Sequence, residues 1–146
     1  MERVNLNLKD FVESMESWGK QIRANDAANA LPLTETRIFF YTGVRQAGFT
    51  EEIVNMFDPE QDAYIATNHF LTEEFVERMG GVRCKTATIN ANDFEKSVRK
   101  MLGSRIRRVY IDVGPAIIFS RAVRIRRLIR IIEEKILNDD AVYIIT

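Results

Sequence analysis

Residues that usually build sites are nearly missing from this chain of 146: it has one cysteine, Cys84, and one histidine, His69. A lone cysteine excludes an internal disulfide and fits a reducing compartment. One cysteine and one histidine cannot make a zinc site of the usual Cys/His type. Long apolar runs are missing too. None approaches the roughly 18 residues of a membrane span, and the opening MERVNLNLKDF lacks the apolar segment of a secretory leader. The expectation is a soluble cytoplasmic protein with no membrane partner, in the host cytoplasm if the chain is viral. Net charge is missing as well, with 21 Lys/Arg against 21 Asp/Glu.

That zero hides a split. Residues 1–96 hold 10 Lys/Arg and 16 Asp/Glu, whereas residues 97–146 hold 11 and 5. The basic part is mostly arginine, which points to a polyanion partner, to self-association of opposite charges, or to two parts that cancel within the fold. Composition is otherwise that of a globular chain, 46% hydrophobic and 29% charged, and the length suits a single domain over 1–146 with one substantial core.

Periodicity supplies the elements. Leu8, Phe11, Val12, Met15, Trp18 and Ile22 repeat at helical spacing, predicting an N-terminal helix within 1–30 that ends before Pro32. From residue 37 to 146, short apolar runs alternate with helical patterns. RIFFYT, AYIAT, CKTATI, RVYIDV and AVYII read as strands. TEEIVNMF, LTEEFVERM, NDFEKSVRKML and the long PAIIFSRAVRIRRLIRIIEEKIL read as helices, with Thr72 predicted as a cap and Pro115 at a first helical position. This alternation predicts an α/β domain: a mainly parallel five-stranded sheet with helices on both faces, joined by right-handed crossovers. In the last helix Ile118, Ala122, Ile125, Ile129, Ile132 and Ile136 step as a heptad seam. Arg121, Arg124 and Arg127 form a separate cationic strip.

In open parallel sheets, ligands sit at the carboxyl ends of strands. After the first strand comes TGVRQAGFT, in which Gly43, Gly48 and Thr50 have the spacing of a phosphate-binding loop. After the fourth comes YIDVGP, ending the apolar run on Asp112. Together these resemble the P-loop NTPase pattern, in which backbone N–H groups of a glycine-rich turn cradle phosphate while a Ser/Thr hydroxyl and a strand-end Asp hold Mg²⁺. RQAGFT, IATNHFLTEEFV, VYIDVG and AVYIIT follow one another as the corresponding segments do in phage large-terminase ATPases and superfamily-two helicases. The resemblance implies a P-loop fold over about residues 37–146. It implies ATP and magnesium as cofactors, Gly43, Arg45, Gly48 and Thr50 as phosphate-binding positions, and Thr50 and Asp112 at the metal.

Two departures bear on catalysis. Phe49 fills the lysine slot, leaving Arg45 as the loop's one cation. Val113 follows Asp112 where the family carries a glutamate that polarises water. Each such group is worth several kcal/mol of barrier. The expectation is therefore a catalytically degenerate domain acting as a binding or assembly factor in a phage or mobile-element setting, as a homo-oligomer, with nucleic acid or a viral or host protein as partner. Two alternatives stay open: a weak Mg-dependent ATPase using Arg45, Thr50 and Asp112, and a non-specific nucleic-acid-binding module using Arg121, Arg124 and Arg127. A response-regulator fold would need acids at the end of the first strand, and a dinucleotide fold would need G-x-G-x-x-G; neither is present.

Overall fold

A computed structural model describes residues 7–24, 36–41, 49–89, 94–101, 103–113, 115–138 and 140–146. Helix α1 (Leu8–Ala24) precedes strand β1 (Ile38–Phe40), followed by α2 (Phe49–Met56), β2 (Asp62–Ala66), α3 (His69–Arg78), β3 (Lys85–Thr88), α4 (Phe94–Val98), β4 (Arg108–Asp112), α5 (Pro115–Lys135) and β5 (Val142–Ile145). The five strands form one sheet in the order β1-β5-β4-β2-β3. Every pairing is parallel.

The apolar strands read as runs rather than alternations because both faces of the sheet are covered. Val109, Ile111, Tyr143 and Ile145 face one core with Ile125, Ile129, Ile132 and Ile136 of α5. Tyr64, Tyr110, Val142 and Ile144 face the other, with Leu8 and Val12 of α1, Ile53 of α2 and Phe75 of α3. Burying each such aliphatic or aromatic side chain contributes about 1.5–3 kcal/mol.

The heptad seam on α5 takes part in this packing. From Ile125 onward it is consumed by the sheet, with exposures between 0% and 6%, so this stretch is no free surface for a second copy. The side chains of Ile118 and Ala122 lie outside the described residues. The cap of α3 is corrected. Asn68, not Thr72, caps it, accepting from the Leu71 N–H. Thr72 is buried and donates instead to the His69 carbonyl. The helix begins earlier than the apolar pattern because Asn68 offers its side-chain oxygen immediately after β2. Its end is as expected: Gly80 and Gly81 have φ of 78° and 76°, a conformation that favours glycine.

Part of the charge split is cancelled within the fold, through Arg107 and Arg108. Arg37 donates to Glu133 at 2.6 Å and to the Ala141 carbonyl at 2.8 Å. Arg107 donates to Asp62 at 3.0 Å, and Arg108 forks onto both oxygens of Glu16. Each pair joins the acidic part of the chain to the basic part. Asp62 is fully buried, and burial raises its pKa although Arg107 and the Asp58 N–H oppose the shift.

Helix α1 is seated through Gly19. A Cβ there would lie 2.4 Å from the Thr36 carbonyl oxygen, and Arg23 of the next turn donates to the same residue's hydroxyl at 2.9 Å. Gly19→Ala is therefore expected to destabilise the domain by about 1–3 kcal/mol, despite the ~1 kcal/mol by which alanine exceeds glycine in an open helix. Urea unfolding reads the difference, and unchanged or raised stability would refute this seating.

Candidate functional site

The strand order fixes what meets at the carboxyl edge. Because β5 lies between β1 and β4, its last residues reach the end of β4: the Thr146 N–H donates to the Ile111 carbonyl, and the Val113 N–H donates to the Thr146 carbonyl. Asp112 has the facing of Tyr110, toward α2 and α3. Val113 has the facing of Ile111 and enters the α5-side core.

Three hydroxyls converge on the Asp112 carboxylate. Thr50 Oγ1, in the first turn of α2, donates to Oδ2 at 2.7 Å. The Tyr64 hydroxyl, from β2, donates to the same oxygen at 2.8 Å. Thr146 Oγ1, just past β5, donates to Oδ1 at 3.1 Å. Tyr64 is locked in place. It is 2% exposed, and its ring stacks on Phe75 with centroids 3.8 Å apart and planes 5° from parallel. Burial, then the Asp112 charge, raises its pKa far above the ordinary phenol value. The phenol therefore keeps its proton and remains a donor.

Beside this cluster opens a cleft of about 310 Å³ between α2 and α3, bordered by Thr50, Tyr64, Asp112, Leu71, Glu74 and Arg78. Glu74 and Arg78 pair across one helical turn at 3.1 Å. They are half-exposed, and a pair of that kind is worth about 0.3–0.5 kcal/mol, so it opens at little cost.

The donor set suits a hard cation in part. Thr50 gives its proton to Asp112 and keeps its lone pairs, and a hydroxyl with a carboxylate matches the oxygen preference of Mg²⁺. Two protein oxygens are few, however. Among the described residues no three His, Cys, Asp or Glu side chains are grouped to hold a metal. Magnesium here would need phosphate and water for its remaining ligands.

The structure brings Thr50 and Asp112 together. Gly43, Arg45 and Gly48 lie outside the described residues. Phe49 opens α2, with its side chain outside the description. The side chains of Arg121 and Arg124 on α5 are also outside it, while Arg127 is exposed. His69 is exposed and pairs with Glu73 at 2.7 Å, apart from the Asp112 cluster. Sequence reasoning missed Tyr64 and Arg78 as neighbours of the site. The one available signal was a phenol inside an otherwise apolar strand, where a buried hydroxyl wants a partner. No family model, curated protein or solved structure matches the chain.

Asp112→Ala leaves the buried Tyr64 and Thr146 hydroxyls without their acceptor. A loss of about 1–3 kcal/mol is expected, measured by thermal or urea unfolding. A neutral result would mean that the cluster does not hold the sheet edge together.

Proposed function

We propose that this chain is a P-loop-like domain that binds a phosphate-bearing ligand weakly, with magnesium, and does not turn it over. It would serve as a binding or assembly factor of a phage or mobile element. The observation that carries this reading is the 2.7 Å bond from Thr50 to Asp112, across 62 positions of sequence. These are the two residues that the family resemblance assigns to the cation. Thr146, the terminal hydroxyl of the strand resembling the family's next one, joins the same carboxylate. Bound magnesium phosphate would have its charge neutralised by the cation. Thr50 would hold that cation directly, and the first turn of α2 would offer N–H groups to the anion.

Hydrolysis asks for more. A water-polarising acid is wanted next to Asp112, and Val113 is apolar and 8% exposed. Glu74 borders the same cleft but is paired with Arg78, and this favours the weak-ATPase alternative only in so far as that pair opens. Titration with ATP·Mg²⁺ should raise the melting temperature modestly, with saturation at 100 times Kd worth about 2.7 kcal/mol. Phosphate release should stay at background. Turnover near 1 s⁻¹, common for enzymes, that disappears in Asp112→Asn would replace this reading with the ATPase. No stabilisation at any ATP·Mg²⁺ concentration would remove nucleotide from the proposal.

A second reading, a nucleic-acid partner, draws on where the charges lie. Arg99, Arg126, Arg127 and Arg130 are exposed on the α4–α5 side, against Glu95 and Glu134. On the α1–α3 side the exposed acids are Asp10, Glu13, Glu51, Glu73 and Glu77, against Lys9, Lys20 and Arg78. Faces of opposite sign suit a phosphate backbone on one side, and equally a second copy stacked face to face, which is the form homo-oligomerisation takes in this proposal. Among the described residues no helix is long and apolar enough to cross a membrane, and a cytoplasmic location belongs to the proposal. DNA or RNA binding should be sequence-independent and fall steeply with salt, and Arg127→Ala with Arg130→Ala should lower the salt slope by about two. Absence of binding at low salt would leave this face to a protein partner.

A further inference from the structure

Asp112 Oδ2 accepts two hydroxyls, Thr50 at 2.7 Å and Tyr64 at 2.8 Å. A carboxylate oxygen has two lone pairs, so both are taken. Oδ1 accepts Thr146 and keeps its second lone pair, but it is the oxygen that Thr50 does not touch. A cation seated against Thr50 Oγ1 and Asp112 Oδ2 would bridge two oxygens 2.7 Å apart, close to the roughly 3.0 Å edge of an octahedron with ~2.1 Å bonds. The spacing permits a direct bond to both. What stands in the way is the Tyr64 hydroxyl, on the lone pair such a bond would use.

We propose that Tyr64 is a positioning residue that keeps Asp112 Oδ2 from sharing a directly bonded divalent cation with Thr50 Oγ1, so that a cation beside Thr50 needs phosphate to complete its ligands. This rests on the phosphate-and-cation reading above and says which form of ligand the site admits. A cation arriving with phosphate would be held by Thr50, as the resemblance already implies, while Asp112 stays with its three hydroxyls. The device is rigid because the phenol cannot swing aside. Its ring is stacked on Phe75, and Phe75 in turn meets Phe57 edge-on at 5.0 Å. Tyr64→Phe keeps the ring stack and deletes one oxygen. It therefore frees a lone pair of Oδ2 beside Thr50 without removing a packed group.

The probe is Mn²⁺ alone, with no nucleotide, followed by the electron paramagnetic resonance signal of the free ion. Wild-type protein should leave that signal almost unchanged. Y64F should bind Mn²⁺ about tenfold tighter or more, a difference of one log unit in Kd, and adding D112N to Y64F should cancel the gain. T146V frees the other carboxylate oxygen, away from Thr50, and should gain clearly less than Y64F; general loosening of the cluster would raise both alike. Y64M, also without the hydroxyl, repeats the comparison should Y64F fold poorly.

Equal Mn²⁺ binding by wild type and Y64F, including none by either, would overturn the proposal. So would a gain that survives D112N, or wild-type binding of Mn²⁺ that D112N abolishes. Because nucleotide is left out, these outcomes are separate from the ATP·Mg²⁺ titration. Failure there with success here would leave a guarded cation position and remove the nucleotide.

Discussion

Strand β5 is the constraint on which the rest depends. It pairs with β1 on one side and β4 on the other, and residues Val142 to Thr146 are all buried. Without it, β1 would have no backbone ladder to the rest of the sheet. The Thr50–Asp112 contact would then have to be held by helix packing alone. With it, three chain segments far apart in sequence end at one edge, and Thr146 arrives beside Asp112 with its hydroxyl free to donate. The cost is kinetic. Parallel pairings over such separations close large loops before they are rewarded, and β5 completes its two ladders last along the chain.

The edge opposite the site is held differently. There the strands begin on charges, Arg37 before β1, Asp62 at β2 and Arg107 and Arg108 at β4, and each of these charges has a partner of opposite sign. Each pair has one more exposed member, so the costly deletion is the one that strands the buried partner, above all Asp62 without Arg107. Tyr110 and Tyr143 run toward this edge, and their hydroxyls have no hydrogen-bond partner among the described residues. Burial, then the neighbouring carboxylate, pushes the Tyr110 pKa up to about 12, against the pull of Arg108. Tyr64 shares their burial, but its hydroxyl is bonded to Asp112. That difference separates a phenol that fills the core from one that shapes the site.

Much of the fold was legible because the elements carry their own punctuation. Pro115 opens α5, glycines at positive φ close α3 and the α4 region, and the short apolar runs fall on the strands. The Asp112–Thr50 meeting was legible from spacing and from the resemblance. Strand order was not. Nothing local to AVYII says that it inserts between the first and fourth strands, and the Thr146 contact follows from that insertion. Tyr64 was hidden for a related reason: in a run buried on both faces, a tyrosine reads as bulk, and the carboxylate that accepts its hydrogen bond lies 48 positions away. The isoleucine seam was legible as an apolar helix face, and from Ile125 onward that face lies in the core against the sheet.

The missing second acid looks different in three dimensions from how it looks in sequence. Adjacent residues of a strand point to opposite faces. Asp112 therefore faces α2 and α3, while Val113 packs with Ile111 and Ile145 against α5 and touches the cleft with one edge. A glutamate at 113 would bring a carboxylate into an apolar core with no cationic partner among the described residues, and the desolvation penalty would push it to stay protonated or to turn the strand end outward. Val113→Glu alone therefore does not rebuild a water-polarising group. The backbone after Asp112 would have to change course first. The end of β4 thus serves two sides of the sheet at once: Val113 belongs to the core, and Asp112 is engaged by three hydroxyls at the sheet edge.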